Sequence, residues 1–526
     1  MGPSSPDIEV RPAGRAAASR APLSLGAAWD EAERLREQTG AEFVEPVFEV
    51  AIDDQAVDAT RSGGGTPDKP GALAETEWSL RHVDAAGARE RLRQELNRPE
   101  GAEAVGVIVA HPDTGYRQHA EFWNADATKS AVMFESGWNF VEENPRPFDP
   151  LDDAGLLANP GHGTKSGSVI VSPLGKQWTG GDAKEFVSGA GPGARLVPLR
   201  VHTSVVHFNP SRLARAINHA AEPDGTTIRL PPGARISVIS ISMGGLPSLG
   251  LYKAVKNAER RGVILVAAAG NNVKTVVWPA RFGSAIAVGA TNIDCGTWPA
   301  GSRGGAVDFS APGESVWHAA VTADGNDRAT VGQGTTYATA TTAGIAALWV
   351  SRHRETPLFE RLRQEGLVTE AFRAAVQKTS WRPAGTGASA PPAGVTCVEK
   401  EWDSTRYGAG ILNASRLLAE PLEEPPSRAL DAGTPYPLFA SLFETDEMAV
   451  AATQRFETLF PGTPPATMKA LDGELATLYA LDDEVQVAVA RIVGPAPSPA
   501  DYADVRAVLQ RKDVSTAMAA VARRQP

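Results

Sequence analysis

Between about Leu73 and Leu418 the chain alternates short apolar runs with amphipathic stretches, and this alternation restricts the fold more than any other feature. The runs Val105–Ala110, Arg195–Val201, Ser237–Ser242 and Val263–Ala268 have strand length and are mostly apolar along both faces. A strand that is apolar on both faces has to be covered on both, which a parallel sheet flanked by helices achieves. Ser211–Ala221 and Leu251–Arg261 lie between such runs and have helical spacing. The expectation is an α/β domain with a parallel sheet and helices on both faces. In such sheets ligands sit outside the carboxyl ends of the strands.

Three further regions flank or join this domain, taken as residues 73–419. Residues 1–72 read as an N-terminal extension. It comprises a tail rich in Ala, Pro, Ser and Arg, and a helical pattern through Trp29, Ala32 and Leu35 stopped at Gly40. An edge strand is expected around Phe43–Ile52, and the stretch 61–72 containing Gly63-Gly64-Gly65 is a linker. Residues 26–60 would then be a small, separately hinged unit. Residues 420–437 are a Pro-rich linker, and 438–526 a helical C-terminal unit of three or four short helices. In that unit Ser498-Pro499-Ala500-Asp501 carries the signature of a helix start, and Gly494-Pro495 ends the helix before it.

Composition removes several function classes. Acidic residues outnumber basic ones, 62 to 51, for a net charge of −11 with no long basic block, which argues against nucleic acid or an anionic membrane as partner. No apolar run reaches the roughly 18 residues of a spanning helix. The N-terminal residues are polar and show no secretory signal, so the expected location is cytoplasmic, with leaderless export as the other route. Only two cysteines occur, Cys295 and Cys397, which excludes a disulfide scaffold or Cys-rich zinc module; without an export signal they are read as a reduced pair.

Chemistry-bearing residues gather at the ends of the apolar runs. The first run leads into His111-Pro112-Asp113-Thr114-Gly115, placing Asp113 where an α/β site would lie. An aspartic-peptidase reading needs a second facing Asp-Thr-Gly or Asp-Ser-Gly, and the chain has none. In Gly161-His162-Gly163-Thr164 the flanking glycines leave both ring nitrogens approachable, as general-base catalysis requires. The run Val263–Ala268 ends in Ala269-Gly270-Asn271. Finally, Gly332-Gln333-Gly334-Thr335-Thr336 opens an apolar helix continuing through Leu348, expected to be buried with its N-terminus free to face an oxyanion.

Taken in order, these motifs resemble those of subtilisin-like serine peptidases, whose triad runs Asp, His, Ser. The resemblance covers about residues 74–418. Asp113-Thr114-Gly115 fits the Asp motif, His162-Gly163-Thr164 the His motif and Ala269-Gly270-Asn271 the oxyanion Asn motif. Ser242-Met243-Gly244-Gly245 fits the segment that pairs with extended substrate, Ser310-Ala311-Pro312-Gly313 fits a core segment, and Tyr407-Gly408-Ala409-Gly410 with Asn413-Ala414 resembles the family's closing helix. The resemblance implies a protein or peptide substrate bound as an added strand along Ser242–Gly245 and acyl transfer with His162 as base. Asp113 would orient the imidazole, and Asn271 would be an oxyanion donor. It implies no required cofactor. Calcium is frequent in surface loops of the family, but no calcium-loop pattern is legible here. Residues 26–60 would be an inhibitory prosegment or a structural cap, the long stretch 116–160 an insertion near the cleft, and the C-terminal unit either a partner packed against the catalytic domain or a docking point for an activator or adaptor.

One position departs from the family. The nucleophile after Gly334-Thr335 is Thr336, and no serine lies between Ser315 and Ser351. Ala340 also replaces the usual proline, and Lys165 follows the His motif where an uncharged residue or His is commoner. Threonine keeps the hydroxyl but adds a methyl and stiffens χ1. Threonine nucleophiles generally rely on a terminal amine as base, and Thr336 is far from any terminus. Three readings stay open: a slow nucleophile, a replacement introduced to silence the enzyme, or a natural pseudopeptidase that binds peptides without cutting them.

Overall fold

The computed structural model describes residues 23–48, 70–123, 129–151, 159–173, 186–207, 209–321, 328–426, 434–443 and 450–524. At its centre is a seven-stranded sheet of Ile108–Asp113 (β1), Trp138–Asn139 (β2), Arg195–Arg200 (β3), Ile236–Ile241 (β5), Ile264–Ala268 (β7), Ile286–Thr291 (β8) and Phe309–Pro312 (β9), in the order β2-β3-β1-β5-β7-β8-β9. Every pairing is parallel. Val206–His207 (β4) and Gly244–Gly245 (β6) form a separate pair.

The strands read as apolar runs because both faces are buried. Ile108, Ala110, Ile239, Ile241, Leu265 and Ala267 point into one core, while the alternating Val109, Val238, Ile264 and Val266 point into another. Pro112 is tolerated in a central strand because β1 pairs with β5 only through Ala110, so the missing N–H falls where that neighbour has diverged.

The helices that matter for the site are Leu25–Thr39 (α1), His162–Val171 (α2), Ser211–Ala221 (α3), Leu249–Arg260 (α4) and Thr335–His353 (α5). The α5 helix is buried nearly throughout, as its lack of a polar face requires. α1 ends at Gly40, whose φ of +66° and backbone bond to Arg36 close the helix. The described part of the expected strand at Phe43–Ile52, residues 43–48, forms no strand. It lies instead at the start of α4, where the Glu45 carboxylate accepts the N–H groups of Leu249 (2.6 Å) and Gly250 (3.2 Å). Residues 49–69, holding most of the expected linker, lie outside the described residues, as do 427–433 of the second.

After residue 437 the described chain is helical, with helices at Pro437–Ala440, Ala452–Leu459, Pro465–Leu481, Asp483–Val493, Pro499–Leu509 and Thr516–Ala522, more than the three or four expected. Ser498 and Asp501 form the expected capping box, and Gly494 ends the preceding helix. These helices share one core with α3 and α4. Trp278 donates its indole N–H to Ser441 Oγ (3.0 Å), and Arg281 donates to the carbonyls of Ser441 and Leu442 (both 2.8 Å). α1 is held in turn by Asp30, which accepts from the backbone N–H (2.8 Å) and hydroxyl (2.9 Å) of Thr516. No described helix is long and apolar enough to cross a membrane.

The reading of Cys295 and Cys397 as a reduced pair is overturned: they form a disulfide. The loop at Cys295 and the segment at Val398–Glu399 are joined by backbone bonds to the carbonyl of Asp294, which brings the two Cα atoms to 5.2 Å, within bridging distance. Sequence separation concealed this proximity.

Candidate active site

Asp113 ends β1, His162 opens α2, Asn271 follows β7, and Thr336 lies in the first turn of α5. All four come together at the carboxyl side of the sheet. His162 Nδ1 is 2.8 Å from Asp113 Oδ1, and His162 Nε2 is 3.4 Å from Thr336 Oγ1. The backbone N–H of Thr114 also donates to Asp113 Oδ1, at 2.7 Å. Burial opposes ionisation of Asp113, but the facing His162, His111 and the Thr114 N–H outweigh it and hold the carboxyl below its usual value.

The turn into α5 is made by Gly334, whose φ of +150° is open to glycine. A Cβ there would stand 3.1 Å from Asn271 Nδ2 and 3.6 Å from Thr336 Oγ1, so the amide nitrogen and the hydroxyl face the same notch. Asn271 is fixed from its other side: its Oδ1 accepts the Thr335 backbone N–H (2.9 Å) and hydroxyl (2.8 Å). The Thr335 hydroxyl also accepts from Gly270 N–H at 3.2 Å. Sequence reading passed over Thr335, although its place beside Thr336 was the available signal.

The stretch 116–160 proves to be partly structural. Its β2 extends the sheet beside β3, and its Asp149 accepts from the Thr114 hydroxyl (2.9 Å) and from Gly161 N–H (2.8 Å). One carboxylate thereby ties the Asp113 loop to the His162 loop. Nothing in the sequence marked Asp149 for this. Lys165, one turn into α2, is largely enclosed, and burial lowers its pKa against the opposing pull of Asp149 and Asp113.

Ser242–Gly245 lies beside the site, with Ser242 Oγ donating to Thr336 O at 3.3 Å. The segment is not an open edge. β6 pairs in parallel with β4, with Val206 opposite Gly244 and His207 opposite Gly245. Gly244 N–H donates to Val205 O (2.9 Å) and Gly245 N–H to Trp278 O (3.0 Å). Met243, just before these glycines, is buried.

A parallel α/β sheet with an Asp–His–hydroxyl chain and an anchored Asn at its carboxyl side defines a class of hydrolytic enzymes using triad chemistry. The profile of the Subtilase family (Peptidase_S8) matches residues 104–410, more than half the chain, and the chain belongs to that family of subtilisin-like serine peptidases. Among its relatives, thermitase of Thermoactinomyces vulgaris is 28% identical over 56% of this chain and 89% of its own length. Subtilisin Savinase of Lederbergia lenta is 28% identical over 52% of this chain and 82% of its own. A solved protease structure from Pseudoalteromonas arctica aligns with 68% of this chain and 99% of its own at 20% identity and a TM-score of 0.47.

Proposed function

We propose that the chain is an endopeptidase that hydrolyses peptide bonds through an acyl-enzyme, with Thr336 as a nucleophile of reduced power. The observation carrying this reading is the continuous chain from Thr336 Oγ1 through His162 to Asp113, with Asn271 Nδ2 facing the same notch as the hydroxyl. In the first step Thr336 Oγ1 attacks the scissile carbonyl while His162 Nε2 takes its proton, and Asp113 holds the imidazole with Nδ1–H toward it. The oxyanion is met by Asn271 Nδ2 and backbone N–H at the start of α5. His162 then protonates the leaving amine, and water, activated by the same base, releases the acyl group. Each step uses side chains of this chain and water, so the reading needs no cofactor.

Two features support low turnover. The Thr336 methyl adds bulk at a residue only 3% exposed, and a misplacement of about 1 Å costs on the order of 100-fold. The N–H groups of Gly244 and Gly245 are also already engaged, so peptide can take them only by displacing their partners. The first feature, which impairs cutting but not binding, also favours a peptide-binding pseudopeptidase as the alternative.

The test incubates the purified chain with an unstructured protein beside Thr336→Ser and His162→Ala variants, with mass spectrometry of cut bonds. Slow cutting by the unaltered chain, abolished by His162→Ala and accelerated at least about tenfold by Thr336→Ser, is expected. Absence of cutting by both the unaltered chain and Thr336→Ser refutes the endopeptidase reading.

A further inference from the structure

Asp113 is flanked by a second histidine. Residues two apart in a strand share a face, so His111 and Asp113 of β1 project to the same side. His111 Nε2 stands 3.5 Å from Asp113 Oδ2, the oxygen that His162 does not use. Both residues are fully buried, and neither atom has a hydrogen-bond partner among the described residues. A buried carboxylate oxygen and a buried ring nitrogen, both unsatisfied and facing each other, are costly unless they serve each other.

The other ring nitrogen is engaged: His111 Nδ1 contacts the Tyr116 hydroxyl. The helix that carries His162 is shaped to admit that tyrosine. A Cβ on Gly167 would come within 2.6 Å of Tyr116 OH, and one on Gly163 within 3.2 Å of its Cε2. Burial pushes the His111 pKa down to about 4 against the pull of Asp113, so the ring is neutral at neutral pH. Burial likewise raises the Tyr116 pKa, so its hydroxyl keeps its proton. A neutral ring has one N–H. If Tyr116 donates to Nδ1, that N–H is at Nε2 and points at Asp113.

We propose that His111, set in its Nε2–H tautomer by Tyr116, is a positioning residue that holds the second oxygen of Asp113 and so fixes the carboxylate against His162. Among the described residues, Asp113 and His162 act on the ring by charge and Tyr116 by its hydroxyl. The donor order runs from Tyr116 O–H to His111 Nδ1, from His111 Nε2–H to Asp113 Oδ2, and from His162 Nδ1–H to Asp113 Oδ1. The inference rests on the endopeptidase reading only for its effect on rate.

The test begins without any substitution. In nitrogen-15 NMR of the histidine-labelled chain at pH 7, His111 should show a protonated Nε2 and an unprotonated Nδ1; the opposite tautomer overturns the proposal. His111→Leu should move the low-field His162 Nδ1–H resonance, Tyr116→Phe should move it less, and His111→Gln, which restores an N–H at the ε position, should return it toward its original place. In a Thr336→Ser background, His111→Leu should lower kcat about 10- to 100-fold with KM changed less than about twofold, partly rescued in His111→Gln. A resonance unmoved by His111→Leu refutes the positioning role, whatever the activity. If the resonance moves but no form of the chain cuts peptide, the positioning role stands and the endopeptidase reading falls. Tyr116→Phe, which changes a single atom, carries the comparison if His111→Leu does not fold.

Discussion

At the scale of single residues, the site depends on hydroxyls that differ only in surroundings. Thr335 and Thr336 are adjacent, but the helix turn sends one toward Asn271 and the other toward His162. Thr335 therefore positions the amide, while the Thr336 hydroxyl faces His162. Replacing Thr335 by Val keeps the shape and removes both side-chain bonds to Asn271 and Gly270. Loss of one oxyanion donor in a subtilisin costs on the order of 100- to 1000-fold. Because Thr335→Val only loosens the donor, the expected drop in kcat of the Thr336→Ser form is about tenfold. Single-turnover kinetics would check it, and an unchanged kcat would mean that the Thr335 backbone N–H alone fixes the amide.

At the scale of elements, the pairing of β4 with β6 decides how peptide enters. Two short strands joined edge to edge leave no free ladder there. An added strand has either to part them or to use another edge. Amide exchange distinguishes these routes. In the free chain Gly244 and Gly245 should be protected, because both N–H groups are donated. On addition of a tight peptide-aldehyde inhibitor, protection should persist at Gly244 while the backbone amide of His207, the β4 donor toward β6, becomes exchangeable. Unaltered exchange in β4 with inhibitor bound would show that β4 does not yield to peptide.

At the scale of the whole molecule, the N- and C-terminal extensions grip the catalytic domain close to that same edge. Glu45 caps α4 just after β6, and Ser441 and Leu442 hold Trp278 and Arg281, of which Trp278 pairs with Gly245. The C-terminal unit contains two buried carboxyls on the helix Pro465–Leu481. Burial raises Asp472 to about 7 against the N–H groups of Phe439 and Leu438, and raises Glu474 to about 7 against its bonds from Ser515. Both pKa values are higher folded than unfolded, so the folded state binds more protons between about pH 4 and 7. The stability these groups contribute is thus full below about pH 4 and falls as pH rises through about 7. Hydrogen exchange in residues 465–481 should be faster at pH 8 than at pH 5.5 after correction for intrinsic rates. An Asp472→Asn, Glu474→Gln double variant should lose most of that difference, and an equal difference in the variant would assign the effect elsewhere.

Local patterns in the sequence were enough for the sheet, the order of Asp113, His162, Asn271 and Thr336, and the buried helix behind the Thr336 turn. These follow from local rules: apolar runs for strands covered on both faces, special residues at strand and helix ends, and helical periodicity. Helix Ser211–Ala221 was legible to the residue because its apolar stripe is regular. Tertiary structure alone decided what depends on which distant segments meet. The Cys295–Cys397 disulfide, the Asp149 brace, the Glu45 cap on α4 and the pairing of β4 with β6 each join segments that no local pattern connects. His111 lies between the two cases. Its spacing from Asp113 is visible in the sequence, but only the packing of Tyr116 into the glycine notch of α2 gives its ring a tautomer and a direction.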